Sequence, residues 1–454
     1  MDDMEELIYE AKNRDMYILM DLVVNHCSDE HEWFKKAKAD PEGEYGKYFY
    51  IIKSSNGELP SNLRSYFGGS VWENISGTDY YYYHSFHKKQ PDLNWENPKL
   101  RKEIYKMINW WLDKGLAGFR IDAILNIKKD LPFRMYTPDR DDGLYALYKT
   151  LTNHDGFGVF MNEIKEETFN NYDTFTVGEV SKVDNKLNDF IGDDGYFSTI
   201  FDLKQTNLGM NEKGWYASES FTPNEYRDSC FEVQKIARNE GLVANIIENH
   251  DKPRGVNYFI PSEDLNDYSK KLLAAINIML KGIPFIYQGQ EIGMENIEFD
   301  SIDEVDDIDT IGEYKVVLEA GLSEEEALKA VNKYSRDNTR TPFQWDNTIN
   351  AGFTTGEPWI KVNSNYVDIN VKSQEKDKNS LLYFYKKLIA LRKAPEYKDT
   401  IVYGDFEPAY QEQDNIFAFY RNSKEQKVLL IANFQKEEQS VIIPGIYKKI
   451  LINN

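Results

Sequence analysis

The chain has 454 residues, of which 41% are hydrophobic and 14% aromatic, enough for a large core and two or three domains. Its 54 basic and 76 acidic side chains leave a formal charge of −22, which argues against nucleic acid and anionic membranes as partners and favours a neutral or cationic small substrate. No apolar run reaches the roughly 18 residues of a membrane span, and the acidic N-terminal residues do not fit a signal peptide. With only two cysteines, Cys27 and Cys230, interpreted as ordinary buried thiols, we expect a cytoplasmic protein.

The first predicted elements are a helix and a buried strand. Met4 to Asn13 has helical spacing, and the apolar run from Tyr17 to Val24 predicts a strand that ends at Asn25-His26. From Cys27 to Asn97 the periodicity is lost, and aromatic, Gly and Ser residues dominate. This stretch therefore predicts a domain inserted into the fold.

Helices and strands alternate after this insertion. A helix over Pro98 to Lys114 begins with Pro and is followed by Gly115. Predicted strands lie at 117–122, 175–179, 197–201, 246–251 and 282–287. Repeated β-then-α order implies a parallel sheet. Residues 302 to 333 predict helices whose many acids form a solvated face.

The C-terminal region predicts a small antiparallel β domain. A helix near Leu381 to Arg392 is followed by alternating segments at Asn415 to Tyr420 and Val428 to Ala432. The sequence thus predicts three domains: a catalytic barrel formed by 1–26 and 98–395, an inserted subdomain at 27–97, and a β domain at 396–454.

Three carboxylates, Asp122, Glu179 and Asp251, each stand at the end of a short apolar run. Such runs predict buried parallel strands, whose C-terminal ends are where an α/β barrel assembles its chemistry. An acid in this position is also a common helix N-cap, and any one of the three alone fits that role better. Together, and with Arg120 and His250 beside them, they favour acid, base and nucleophilic work on one substrate.

The same segments resemble a known family. Asp21-Leu-Val-Val-Asn-His26, Gly118-Phe-Arg-Ile-Asp122, Thr176-Val-Gly-Glu179 and Glu248-Asn-His-Asp251 are similar to the four signature regions of the α-amylase superfamily of glycoside hydrolases (family 13), in the family's order. Residues 90–94, 289–294 and 335–345 resemble its oligo-1,6-glucosidase and α-glucosidase branch. The resemblance implies an α/β fold, a (β/α)8 TIM barrel with a subdomain inserted after strand 3 and a C-terminal antiparallel β domain.

The resemblance also implies a retaining α-glucosidase. Cleavage with retention needs one ionised carboxylate as nucleophile and one protonated carboxylic acid, about 5 Å apart. By resemblance Asp122 is the nucleophile and Glu179 the acid, then the base. Asp251 is implied to bind sugar hydroxyls, together with His26 and His250. Taken alone, these two histidines also fit buried residues of the core with their hydrogen bonds satisfied.

The charges near the two reacting carboxylates are predicted to differ. Arg120 stands two residues before Asp122 on the same face of a strand, so its charge is expected to keep Asp122 ionised. Glu179 lacks such a neighbour in the sequence, so partial burial is expected to raise its pKa toward the working pH.

Other side chains are implied to line the glucose pocket. Phe67 and Phe86 match apolar walls, Gln90 a polar contact at the pocket mouth, and Arg336 a residue that completes the pocket. The two aromatic residues fit packing inside the insertion nearly as well. Arg336 also fits a structural ion pair, with Asp337 or another acid.

Linkage preference and reaction type are less determined. The branch has Val after the nucleophile in enzymes for α-1,6 bonds and smaller or hydroxylated residues in those for α-1,4; Ala123 predicts an enzyme that accepts α-1,4 bonds, alone or with α-1,6. Lys252, where the family has Gln, leaves phosphorylated disaccharides open. A transglucosylase, and a catalytically inactive sugar-binding protein, also stay open.

The ends of the chain depart from the family pattern. The first predicted strand carries the family's third-strand motif, so we expect a fragment that lacks the first two barrel strands and the last strands of the β domain. The family's divalent metal loop has no counterpart here, and His31, His84, His87 and His154 have no metal-site spacing, so no metal or cofactor is expected. We expect a monomer that takes a small α-glucoside.

Overall fold

The structure, a computed structural model, describes residues 1–151, 156–180, 187–201, 204–238, 240–445 and 447–453. Contacts within the chain divide it into two units, Met1–Asp202 and Leu203–Asn454. The domains predicted from the sequence divide the chain at other positions and stay a prediction. No helix in the described ranges is both long and apolar enough to cross a membrane.

The first unit combines a parallel sheet with antiparallel strands. Its strands are β1 (Leu19–Leu22), β2 (Ile51–Lys53), β3 (Leu63–Arg64), β4 (Trp72–Asn74), β5 (Tyr80–Tyr83), β6 (Gly118–Ile121), β7 (Tyr145–Ala146), β8 (Phe175–Glu179) and β9 (Thr199–Phe201). Its α-helices are α1 (Asp2–Lys12), α2 (Glu32–Ala39), α3 (Pro98–Asp113), α4 (Phe157–Glu167) and α5 (Leu187–Phe190). Strands β1, β6, β8 and β9 run parallel in that order, and β2, β5 and β4 form an antiparallel sheet.

The register of β6 and β8 places two predicted site residues at one edge of the sheet. Ile121 pairs with Gly178, so the next residues, Asp122 and Glu179, lie at the same level. Both follow buried apolar residues of their strands, as the sequence predicts. Parallel strands end at the same edge, which is the edge that carries the chemistry in α/β barrels.

Helix α3 shows how local signals set an element's ends. The side chain of Asn97 accepts a hydrogen bond from the backbone N–H of Lys99, and Pro98 occupies the first turn, where its missing N–H costs nothing. Gly115, with φ +91°, follows the helix in a conformation that favours glycine. The predicted helix from Pro98 is confirmed.

Gly118, at the start of β6, has no room for a side chain. Its φ is +146°, and a Cβ there would lie 1.8 Å from the carbonyl oxygen of Phe175 on β8. We expect Gly118→Ala to lower the free energy of unfolding by about 3 kcal/mol or more, because the backbone of β8 must shift. Gly77→Ala, at φ +79° in open space, is the control and should cost only ~1 kcal/mol. Equal urea midpoints for the two variants would contradict this expectation.

The second unit contains a short parallel pair and a C-terminal antiparallel sheet. Its strands are β10 (Ala244–Asn245), β11 (Ile283–Pro284), β12 (Asp405–Ala409), β13 (Ile416–Asn422) and β14 (Lys427–Asn433). Its α-helices are α6 (Pro223–Ile236), α7 (Gly255–Phe259), α8 (Asp267–Met279), α9 (Ile308–Glu319), α10 (Glu324–Tyr334), α11 (Asp337–Arg340), α12 (Val371–Gln374), α13 (Leu381–Lys393) and α14 (Pro395–Lys398). Strands β10 and β11 are parallel, and β12, β13 and β14 are antiparallel, which confirms the predicted C-terminal β sheet.

The strand predicted over Ile246 to Asp251 is wrong, because β10 stops before this run. Glu248 is buried and its carboxylate lies 3.0 Å from a guanidinium nitrogen of Arg254. The side-chain oxygen of Asn249 accepts the backbone N–H of Asp251 at 2.9 Å. This bond forms a local turn and uses an N–H group that would otherwise pair with a neighbouring strand. Asp251 therefore lies in a loop after the strand.

Candidate active site

One guanidinium, that of Arg120, joins three carboxylates of the first unit. Its Nη1 lies 2.5 Å from Asp122 Oδ1 and 2.8 Å from Asp21 Oδ1, and its Nη2 lies 2.7 Å from Glu179 Oε2. Arg120 is on β6, directly opposite Asp21 of β1. Burial alone would lower the pKa of Arg120, but the charges of Glu179, Asp122 and Asp21 outweigh it and raise that pKa.

The position of Arg120 corrects one expectation. The predicted contact with Asp122 is present, but the idea that Glu179 has no cation beside it is wrong. The 59 positions that separate Arg120 from Glu179 hide a direct contact between neighbouring strands β6 and β8. Both carboxylates are partly buried, with side-chain exposures of 21% for Asp122 and 19% for Glu179.

Ala123 contributes to this cluster through its backbone. Its N–H donates to Glu179 Oε2 at 3.0 Å, next to the bond from Arg120. Its φ of 42° and ψ of 37° are left-handed, a conformation that costs a residue with a Cβ of order 1–3 kcal/mol. This strained turn between β6 and a short 3₁₀ helix, Ile124–Ile127, aims the amide at the second carboxylate.

His26, predicted as a sugar-binding residue, lies beside Gln90 and an aromatic group. Its Nε2 is 3.1 Å from Gln90 Nε2, and its ring centroid is 5.1 Å from that of Phe86. Phe86 stacks on Tyr66 at 4.7 Å and meets Phe67 at 5.9 Å. The structure thus brings His26 and Gln90 together with the two predicted wall residues, Phe67 and Phe86, and adds Tyr66, which the sequence reasoning missed.

A second group of predicted residues lies in the second unit, around Asp251. Arg336 Nη1 is 3.0 Å from Asp251 Oδ1, and His250 Nε2 is 3.2 Å from Asp251 Oδ2. Arg340 Nη2 is 3.1 Å from the same Oδ1, and Arg336 Nη2 is 2.5 Å from Asp307 Oδ1. The sequence reasoning missed Arg340, four residues after Arg336, and Asp307.

The alternative role of Arg336, a structural ion pair, depends on which acids it contacts. Asp337, the acid suggested as a structural partner, accepts the backbone N–H groups of Asp306 and Asp307 instead. Burial raises the pKa of Asp307, but its bonds with Arg336 outweigh this and lower that pKa. Arg336 thus links an ionised Asp307 to Asp251.

Lys252, which left phosphorylated sugars open, makes a hydrogen bond within the protein, and the two cysteines are free. Lys252 Nζ donates to Asn207 Oδ1 at 2.5 Å. Cys27 is half-buried and Cys230 buried, both are free thiols, and burial raises the pKa of each to about 12. In the described ranges no group of three or more His, Cys, Asp or Glu could hold a metal ion; His154 lies outside those ranges.

These features define an α/β fold with a pair of carboxylates at the ends of parallel strands, and comparisons with known proteins give the family. The sequence model of the family 'alpha amylase, catalytic domain' matches residues 1–404. The sequence model of the family 'alpha-amylase SusG C-terminal domain' matches residues 416–454. The chain belongs to the alpha-amylase family of glycoside hydrolases, as its motifs predict, and it has that family's TIM-barrel fold.

Three similar proteins illustrate the range of the family. An oligo-1,6-glucosidase of Bacillus cereus is 40% identical over 445 residues, covering 96% of this chain and 78% of that protein. A trehalose-6-phosphate hydrolase of Bacillus subtilis is 37% identical, covering 98% and 78%. The crystal structure of isomaltulose synthase from Klebsiella sp. LX3 has a TM-score of 0.90 and 32% identity, covering 96% of this chain and 78% of that one.

Proposed function

We propose that this chain is a retaining, exo-acting α-glucosidase that releases glucose from short α-1,6- and α-1,4-linked gluco-oligosaccharides. The observation that carries the proposal is the single guanidinium of Arg120 shared by Asp122 and Glu179. Two carboxylates within reach of one guanidinium favour the spacing of a retaining pair, about 5–5.5 Å, over the roughly 6.5–9.5 Å of an inverting pair.

The proposed reaction has two steps. Asp122 attacks the anomeric carbon and forms a glucosyl ester while Glu179 gives its proton to the departing glycosidic oxygen. Glu179, now ionised, takes a proton from water, whose oxygen attacks the same carbon and releases glucose and free Asp122. These steps use carboxyl groups alone, so we propose that no metal or cofactor takes part.

The charge of the Arg120 cluster suits this exchange. Three carboxylates share one guanidinium, so the fully ionised cluster carries a net charge of −2. A proton on Glu179 relieves this repulsion, as a general acid requires, while Asp122 keeps its bond to Arg120 and stays available as nucleophile. The Ala123 amide holds Glu179 in place in both states.

The other predicted residues are proposed to bind the glucose unit. The half-buried rings of Phe67 and Phe86 supply an apolar wall, and His26 and Gln90 lie beside it as hydrogen-bonding groups. For Asp251, His250 and Arg336 the support is the family resemblance and their mutual contacts. We propose Asp251 as the residue that grips sugar hydroxyls.

Ala123 is proposed to set linkage preference. A larger apolar side chain after the nucleophile would restrict the space beside the scissile bond, so we expect Ala123→Val to raise the kcat/KM ratio of isomaltose to maltose by about 10-fold. Ala123→Thr is the control, because Thr has the same branched shape and the same strain at φ 42°. Initial rates of glucose release from both sugars measure this; an unchanged ratio in Ala123→Val would reject the selector role.

The same assay separates the alternative activities. Trehalose 6-phosphate belongs in the panel because of Lys252 and the named relative, although the ammonium of Lys252 is bonded to Asn207. Trisaccharides that form before glucose accumulates at high maltose would indicate transglucosylation. Bound glucose without turnover of any sugar would indicate a binding protein.

A further inference from the structure

A buried polar network lies behind His26 in the first unit. Lys129, seven residues after Asp122, has only 3% of its side chain exposed, and Asp92 is fully buried. Lys129 Nζ donates to Asp92 Oδ2 at 2.5 Å, to Asn25 Oδ1 at 3.0 Å and to the carbonyl of Asn126. None of these contacts involves the carboxylates that Arg120 joins.

The contacts of Lys129 in this network are those of an ammonium donor paired with a carboxylate. Burial lowers the pKa of Lys129 and the Asp92 carboxylate opposes that lowering, while four acceptors surround Nζ: Asp92, Asn25 and Asn126 are the near ones, and Ser85 Oγ lies at 3.5 Å. Asp92 in turn accepts the N–H and hydroxyl of Ser85 at 2.8 and 2.5 Å. An ammonium ion paired in this way is costly to disturb, because both charges are buried.

The ammonium determines how the side-chain amide of Asn25 is oriented. Its oxygen must face Lys129, so its nitrogen Nδ2 faces His26 Nδ1 at 3.3 Å. Turning this amide would point an NH2 group at an ammonium ion. Since Nδ2 can only donate, His26 Nδ1 must accept, and the proton of the neutral ring lies on Nε2.

Gln90 is the side chain that adjusts. Its nitrogen lies 3.1 Å from His26 Nε2, while its oxygen accepts the backbone N–H of His87 at 3.1 Å. Two donors cannot share a bond, so one amide has to turn. The bond from Lys129 to the Asn25 oxygen is charge-assisted and roughly twice as strong as the neutral bond from the backbone N–H of His87 to the Gln90 oxygen. The weaker bond is the one given up, so the half-buried Gln90 turns.

The charges around His26 favour the neutral ring. Burial lowers its pKa, the carboxylates of Asp92 and Asp122 act in the opposite direction, and Lys129 adds to the lowering. The net shift is downward, so His26 is neutral at pH 7 and its tautomer matters. Nε2–H is then a single fixed donor, and the turned amide oxygen of Gln90 accepts it beside the ring of Phe86.

We propose that Lys129 is a positioning residue for the reaction: by holding the Asn25 oxygen, it fixes the Nε2–H tautomer of His26 and so sets the direction of the hydrogen bond between His26 and Gln90 in the proposed sugar site. The role of His26 toward sugar rests on the proposed function, whereas the tautomer does not. Lys129 touches neither substrate nor the reacting carboxylates and acts through two other side chains.

The test reads the His26 ring directly. With 15N-labelled histidine, correlations between ring protons and ring nitrogens distinguish a protonated nitrogen from a bare one, and His26→Gln assigns the signals among the six histidines. In the unaltered protein we expect Nε2 protonated and Nδ1 bare. Lys129→Met frees the Asn25 amide, so we expect mixed tautomers and about 10-fold lower kcat/KM on maltose.

Two further variants keep the test decisive. Asn25→Asp keeps the shape and the Lys129 contact but replaces the donor by an acceptor, so His26 Nδ1 should gain a proton; this serves if Lys129→Met does not fold. Lys128, whose ammonium pairs with Glu96, provides the matched control. Lys128→Met should leave the signals of both His26 ring nitrogens unchanged. A protonated Nδ1 in the unaltered protein, or no change in Asn25→Asp, would overturn the proposal. The expected spectra in a protein without glucosidase activity would overturn only the proposed function.

Discussion

Replacement of Asp122 by Asn is expected to abolish hydrolysis of 4-nitrophenyl α-glucoside, with a fall in kcat of roughly 10⁴-fold or more. The amide cannot form the glucosyl ester, and Glu179 cannot take over because it is required as the acid. Asn keeps the size of Asp and one oxygen acceptor for the Nη1 of Arg120, so the cluster should stay folded. Release of 4-nitrophenol by the purified proteins measures the effect.

The control for Asp122→Asn is a carboxylate elsewhere in the first unit. Asp113 is exposed and accepts the hydroxyl of Tyr172 at 2.7 Å, away from Arg120. Asp113→Asn should retain full activity. If Asp122→Asn turns over like the unaltered chain, Asp122 is not the nucleophile. If the unaltered chain itself has no activity, the proposal of a glucosidase is wrong for this chain and a binding role is favoured.

Glu179→Gln is expected to separate the two steps of the reaction. Loss of the general acid should lower kcat/KM on maltose by about 10²–10⁴-fold. The loss should be smaller on 4-nitrophenyl α-glucoside, because 4-nitrophenolate departs without a proton. Gln still offers an oxygen to Arg120 and to the Ala123 amide, so the comparison isolates the proton.

Hydrolysis of the glucosyl ester, the second step, gives a further test of Glu179. Without a base to activate water, the glucosyl ester on Asp122 should accumulate, giving a burst of about one equivalent of 4-nitrophenol per protein. Glu163→Gln, which removes a charge paired with Arg101, is the control and should show no burst. Equal losses on both substrates, with no burst, would show that Glu179 does not serve as acid and base.

The carboxylates that the sequence predicts at strand ends were found there for Asp122 and Glu179, but not for Asp251. Apolar residues before the first two form regular strands. Before Asp251 the strand β10 already ends at Asn245, and Glu248, inside the apolar run, makes a buried contact with Arg254. The period of apolar residues does not record such a buried ion pair, so the prediction failed at this point.

Contacts between distant residues could not be read from the sequence. Arg120 next to Asp122 is a local relation of alternating strand positions, and it was predicted. Arg120 next to Glu179 depends on which strands are neighbours, and it was not. Asp21 lies in the motif that ends at His26, but its hydrogen bond with Arg120 follows from the pairing of β1 with β6.

The sequence by itself determined the family, the two carboxylates at parallel strand ends and the C-terminal antiparallel sheet, because short motifs and the spacing of apolar residues are local properties. Only the tertiary structure decided that one guanidinium serves three carboxylates, and that Lys129 reaches Asn25 across 104 positions to orient His26. Electrostatic and hydrogen-bonding partners are chosen by distance in space and by burial, which strengthens each contact and penalises each unpaired group. Neither quantity is written in the order of residues, so the chemistry of the site depends on the packed fold.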